Sequence, residues 1–70
     1  MFILYTRHAE EQIIERKVER VWIEETIKYP HITKRNENKY YVIRKLNGVS
    51  LKVVYVKEKY IKIITVFYIK

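Results

Sequence analysis

The sequence predicts an α+β fold, a chain of order β-α-α-β-β-β whose antiparallel sheet carries a helical hairpin on one face. Three observations point there. Apolar residues recur at helical spacing only within residues 7–29, runs rich in Val, Ile and Tyr fill the chain beyond residue 38, and Asn47-Gly48 sits between two of those runs. Helices that precede a block of consecutive strands collect on one side of an antiparallel sheet.

Met1–Tyr5 reads as a short strand of large apolar and aromatic residues, and Thr6 follows as a helix cap. Ala9, Ile13 and Ile14 then recur at helical spacing, with Glu10 and Glu11 in the first turn, where carboxylates favour the positive end of the helix dipole. The spacing predicts a helix over residues 7–16. The chain must reverse near Arg16-Lys17, so Lys17 is expected to take a positive φ, at a cost of about 1 kcal/mol against Gly. Val18, Val21, Trp22 and Tyr29 mark one stripe of a second helix, widened by Ile23 and Ile27 and ended by Pro30. Residues 33–38 are polar and read as a loop. Lys39–Leu46 and Val49–Lys57 form a hairpin through Asn47-Gly48, two residues that accept the positive φ angles of a type I′ turn. A last strand spans Tyr60–Ile69 after a short turn at Glu58-Lys59.

The 70 residues hold one domain. A chain this short buries only about 60% of its unfolded surface, so its stability depends on packing or on a partner. It has no Cys and two isolated His, which leaves no disulfide, no thiolate metal site and no expected metal or organic cofactor. No apolar run approaches the ~18 residues that span a bilayer, and the opening residues lack the basic start of a signal peptide. A cytoplasmic protein without a membrane role is expected.

Charge is unevenly placed. Residues 1–29 carry five Lys/Arg and six Glu, while residues 30–70 carry ten Lys/Arg and two Glu, within a net charge of +7. A basic half interleaved with Tyr has the composition of a surface that meets phosphates and stacked bases. Strand alternation refines this expectation. Ile61, Ile63, Phe67 and Ile69, with Tyr41, Ile43, Leu51, Val53 and Tyr55, are assigned to the helix side of the sheet. The other side then gathers Tyr40, Arg44, Lys52, Tyr60, Lys62 and Tyr68, with Val54, Ile64, Val66 and Lys70. These six cationic and aromatic residues are the candidate nucleic-acid contacts. The alternative is that the rings pack a homodimer or partner interface and the lysines keep an edge soluble.

The segments Tyr5-Thr6-Arg7-His8-Ala9, Glu15-Arg16-Lys17-Val18, Leu51-Lys52-Val53-Val54 and Ile63-Ile64-Thr65-Val66-Phe67 resemble a small uncharacterised family. Its pattern is a Thr-x-His-Ala start, a Glu-Arg-Gly-Ile helix junction and a terminal Thr-Val-Tyr strand. That family in turn resembles the RelE/ParE toxin superfamily, whose RelE branch cleaves messenger RNA on the ribosome. The resemblance spans nearly the whole chain and marks His8, Arg16 and Thr65 as recurrent polar positions. The chain departs from the pattern at Lys17, where the family has Gly, and at Phe67, where it often has Tyr. What the resemblance implies is a toxin paired with an acidic antitoxin protein and acting on RNA or the ribosome.

Metal-free RNA cleavage through the ribose 2′-hydroxyl needs a base, a cation for the phosphorane and an acid for the leaving oxygen. His8 is the candidate base, Arg16, Arg44 and Lys52 the candidate cations, and Tyr68 a stacking ring or acid. Each has a structural alternative. His8 at a helix start can bond a strand residue such as Thr65, Arg16 can bond helix-end carbonyls, and Arg44 and Lys52 can lie on a solvated strand face. A non-catalytic module that binds nucleic acid or an acidic protein through the same face is the competing function.

Overall fold

The computed structural model of the chain describes residues 2–69. Met1 and Lys70, assigned above to the first strand and to the outer sheet face, lie outside the described residues. The elements are β1 (Ile3–Tyr5), α1 (Arg7–Arg16), α2 (Arg20–Lys28), β2 (Ile32–Asn36), β3 (Lys39–Lys45), β4 (Ser50–Lys57) and β5 (Ile61–Ile69). They build one five-stranded mixed sheet of order β1-β5-β4-β3-β2, with β1 parallel to β5 and every other neighbour antiparallel.

The helical hairpin forms as its caps dictate. Thr6, extended at φ −65°, accepts the Ala9 N–H on its hydroxyl at 3.1 Å and opens α1. At the other end Lys17 is left-handed at φ 53°, ψ 52°, and the Val18 and Lys17 N–H groups return to the carbonyls of Ile13 and Ile14. Those two bonds satisfy carbonyls that would otherwise face nothing, which offsets part of the strain of a Lys in this conformation.

α2 buries part of the stripe its apolar pattern suggests, with Thr26 added and Val21 and Tyr29 left out. Ile23 and Thr26 are fully buried and Trp22 and Ile27 half-buried, whereas Val21 and Tyr29 face solvent. Thr26 qualifies for the core because its hydroxyl donates to the Trp22 carbonyl at 2.7 Å within the helix. On α1, likewise, Gln12 is buried and Ile14 exposed.

Three features of the sheet differ from the sequence expectation. The polar stretch at 33–38 is no loop: Ile32–Asn36 is an exposed edge strand paired to β3 through a turn at Glu37-Asn38, with Glu37 at φ 57°. Its lack of alternation follows from solvent on both faces. The Asn47-Gly48 hairpin stands, closed by the Leu46 N–H to the Val49 carbonyl at 2.7 Å. Yet only Gly48 has a positive φ there, 85°, so the turn is not type I′. Finally, a bulge between Val54 and Tyr55 leaves Ile64 without a partner on β4.

These two sheet irregularities decide the faces. A two-residue loop pairs residues of opposite parity, so Arg44 lies beside Leu51, Val42 beside Val53 and Tyr40 beside Tyr55. Because Leu51, Val53 and Tyr55 face the helices, so do Tyr40, Val42 and Arg44, while Tyr41 and Ile43 turn outward. In β5 the bulge reverses the phase. Ile61 and Ile63 face the helices as expected, but beyond Ile64 it is Val66 and Tyr68 that do so, and Phe67 and Ile69 face away. The core is therefore Ala9, Ile13, Val18 and Ile23 of the hairpin against Val42, Leu51, Val53, Tyr55, Ile61, Ile63 and Val66 of the sheet.

Candidate nucleic-acid interface

The six residues expected on one face do not share it. Lys52 and Lys62 lie on the open side. Tyr40, Arg44 and Tyr68 lie on the helix side, and Tyr60 sits in the β4–β5 turn, edge-to-face with Phe2 at 6.4 Å. Each residue on the helix side is engaged there. Tyr40 stacks on Tyr55 with centroids 5.0 Å apart and planes at 5°. The Arg44 guanidinium donates to the Tyr29 carbonyl at 2.7 Å, which clips the α2–β2 connection to β3. The Tyr68 hydroxyl donates to the Lys17 carbonyl at 3.3 Å.

Nor do the five candidate catalytic residues converge. Arg16 donates to the Val66 carbonyl at 2.9 Å, a strand carbonyl and not a helix-end one. His8 is exposed at the start of α1, and among the described residues no hydrogen bond joins it to Thr65. Lys52 is separated from Arg44 and Tyr68 by the thickness of the sheet. Among the described residues no three His, Cys, Asp or Glu gather where they could hold a metal ion.

The open face nevertheless has the chemistry expected of it, built from other residues. Register places Lys34, Lys39, Tyr41, Lys45, Lys52, Lys62 and Phe67 on it, around Ile43, Val54 and Ile69. The Lys52 ammonium reaches over both rings, 5.8 Å from the Tyr41 centroid and 5.6 Å from that of Phe67, and Lys39 lies 5.5 Å from Tyr41. No strand contains a Glu: the eight carboxylates lie on or beside the helices and in two turns. Five cations and two rings thus occupy a surface with no acidic side chain on its strands. Tyr41 and Phe67 were missed by sequence, although opposite-parity pairing across Asn47-Gly48 already places Tyr41 outward. For Phe67 no sequence signal announces the bulge.

A family profile described as Domain of unknown function (DUF4258) matches residues 5–68. The chain belongs to this family. No curated protein and no solved structure matches it. The match runs from Tyr5, the last residue of β1, to Tyr68 near the end of β5, so this DUF4258 domain includes the helical hairpin and nearly all of the open face. Among its described residues no helix is long and apolar enough to cross a membrane.

Proposed function

We propose that this protein is a nucleic-acid-binding module that lays single-stranded RNA across the open face of its sheet. The observation that carries it is the acid-free set of Lys34, Lys39, Lys45, Lys52 and Lys62 around Tyr41 and Phe67. Cations that track a backbone, interleaved with rings on which bases stack, are the two parts of sequence-tolerant single-strand binding, each stacking contact being worth about 1–3 kcal/mol. Titrating labelled single-stranded RNA at increasing salt tests it. If all five lysines engage phosphates, log affinity falls with log salt at a slope of about −3.5, and Lys52→Gln reduces that slope by about 0.7. Tyr41→Ala weakens binding at every salt concentration, while Tyr40→Phe, on the helix side, leaves it unchanged. Binding indifferent to salt and to Lys52 removes the proposal.

A RelE/ParE-like toxin, held by an acidic antitoxin on the same face, is the second reading. It is favoured by the order of a strand, two helices and then consecutive antiparallel strands. It adds turnover: discrete cuts in messenger RNA on ribosomes, slowed by His8→Ala. Intact RNA under those conditions removes the enzymatic reading and leaves binding.

A further inference from the structure

One apolar groove lies off the open face. Its volume is about 510 Å³, and Val21, Trp22 and Glu25 of α2 line it together with Leu46, Asn47 and Val49 of the β3–β4 turn and Tyr68 of β5. This is within the range of small-ligand sites, ~300–1,000 Å³, and so is its make-up: an apolar, aromatic lining with a few polar groups. A second hollow, lined by Lys45, Leu46, Gly48, Val49, Ser50 and Ile69, adjoins it and shares Leu46 and Val49 with it. Lys45, Ser50 and Ile69 belong to the open face by register. A path therefore runs from the lysine surface over the tip of the hairpin into the groove.

We propose that this groove takes one nucleobase, a guanine, from a strand bound on the open face. The origin of the base rests on the nucleic-acid reading above. Its identity rests on the lining. Trp22 and Tyr68 offer flat rings, Val21, Leu46 and Val49 add apolar surface, and the one charged residue of the lining is Glu25. A base turned out of its stack is read by stacking and by hydrogen bonds to its Watson–Crick edge. Guanine presents two parallel N–H donors on that edge, which match the two oxygens of a carboxylate, a bidentate and charge-assisted arrangement. Adenine and cytosine present one amino group with a ring acceptor beside it, which a carboxylate repels, and uracil a single N–H between two carbonyls.

Trp22 is the chain's single tryptophan, so fluorescence excited beyond the absorption of the seven Tyr reports this groove. The full-length protein is titrated with the four nucleoside monophosphates. Guanosine monophosphate is expected to quench Trp22 at about tenfold lower concentration than the other three, the discrimination a bidentate pair supplies. Glu25→Gln, at an exposed position that tolerates the change, is expected to erase that preference while retaining quenching. Equal quenching by all four, or a preference that survives Glu25→Gln, overturns the guanine assignment. Salt-sensitive RNA binding without any change at Trp22 overturns the groove as a base site but leaves the open face standing. Glu25-dependent quenching by guanosine monophosphate in a protein that binds no RNA supports the groove and removes the open-face reading instead.

Discussion

Gln12 and Arg16 stand one turn apart on α1, and both reach the same residue of β5. The Gln12 side-chain oxygen accepts the Val66 N–H at 2.8 Å and Arg16 donates to the Val66 carbonyl at 2.9 Å. The reason is the length of β1. It pairs with β5 only from Ile61 to Ile63, so the strand edge beyond has no neighbour and two side chains take the place of one. The Thr6 backbone N–H and hydroxyl do the same for the Ile63 and Ile64 carbonyls. Gln12→Ala leaves a buried amide without an acceptor and is expected to cost about 1–3 kcal/mol, read as a lower urea midpoint at unchanged m-value. Arg16→Ala costs less, because Arg16 is itself exposed and water can take its place at the carbonyl. Sequence marked Arg16 as a polar position of interest, but its partner lies fifty residues away, beyond any local pattern.

Tyr55 adds a pH dependence at the same scale. Burial, with the Tyr40 hydroxyl close by, pushes its phenol above the ordinary range, and burial raises Tyr5 likewise against the opposing pull of Arg20. Both groups favour the protonated form in the folded state. Their contribution to stability is complete below the unfolded value of about 10 and is lost as pH rises through the higher folded values. Tyr55→Phe keeps the ring on Tyr40, so denaturant midpoints measured from pH 8 upward should fall less steeply in the variant than in the parent.

Among the elements, those with a local signature were readable and those set by long-range pairing were not. Thr6 and the carboxylates after it marked the start of α1, the reversal required Lys17 to be left-handed, and Pro30 bounded α2. The polar edge strand β2 carries no alternation to read, because both its faces meet water. The bulge at Ile64 exists only through pairing with β4, and it moved Phe67 and Tyr68 to opposite sides from those their spacing implied. Lys17 offers the cleanest test of an element signal. At φ 53° a side chain costs about 1 kcal/mol that Gly does not, so Lys17→Gly is expected to raise stability by about that amount, seen as a higher urea midpoint. A loss of stability would mean that the Lys17 side chain contributes contacts that outweigh its strain.

Over the whole molecule, charge is divided between layers: helices that hold most of the carboxylates back a sheet whose far face is cationic. The asymmetry was plain in the chain halves, and the identity of the face residues was not, because parity turns on a two-residue loop and a bulge. A surface of lysines without counter-charges has a cost to the folded state. Lys62 is exposed and lies in register with Val56, which pairs in turn with Lys39, so the two ammonium groups are rooted two strand spacings apart, about 10 Å. That is close to the Debye length at 0.1 M salt, which makes the repulsion effective at low ionic strength and screened above it. Lys62→Gln is therefore expected to stabilise the protein by a few tenths of a kcal/mol at ~0.01 M salt and by nothing measurable at ~0.5 M. The same substitution should weaken RNA binding, since a phosphate contact is lost. Thermal unfolding at the two ionic strengths and one binding titration decide the matter. A variant more stable at low salt and equally tight on RNA would mean that Lys62 repels its neighbours without serving the interface.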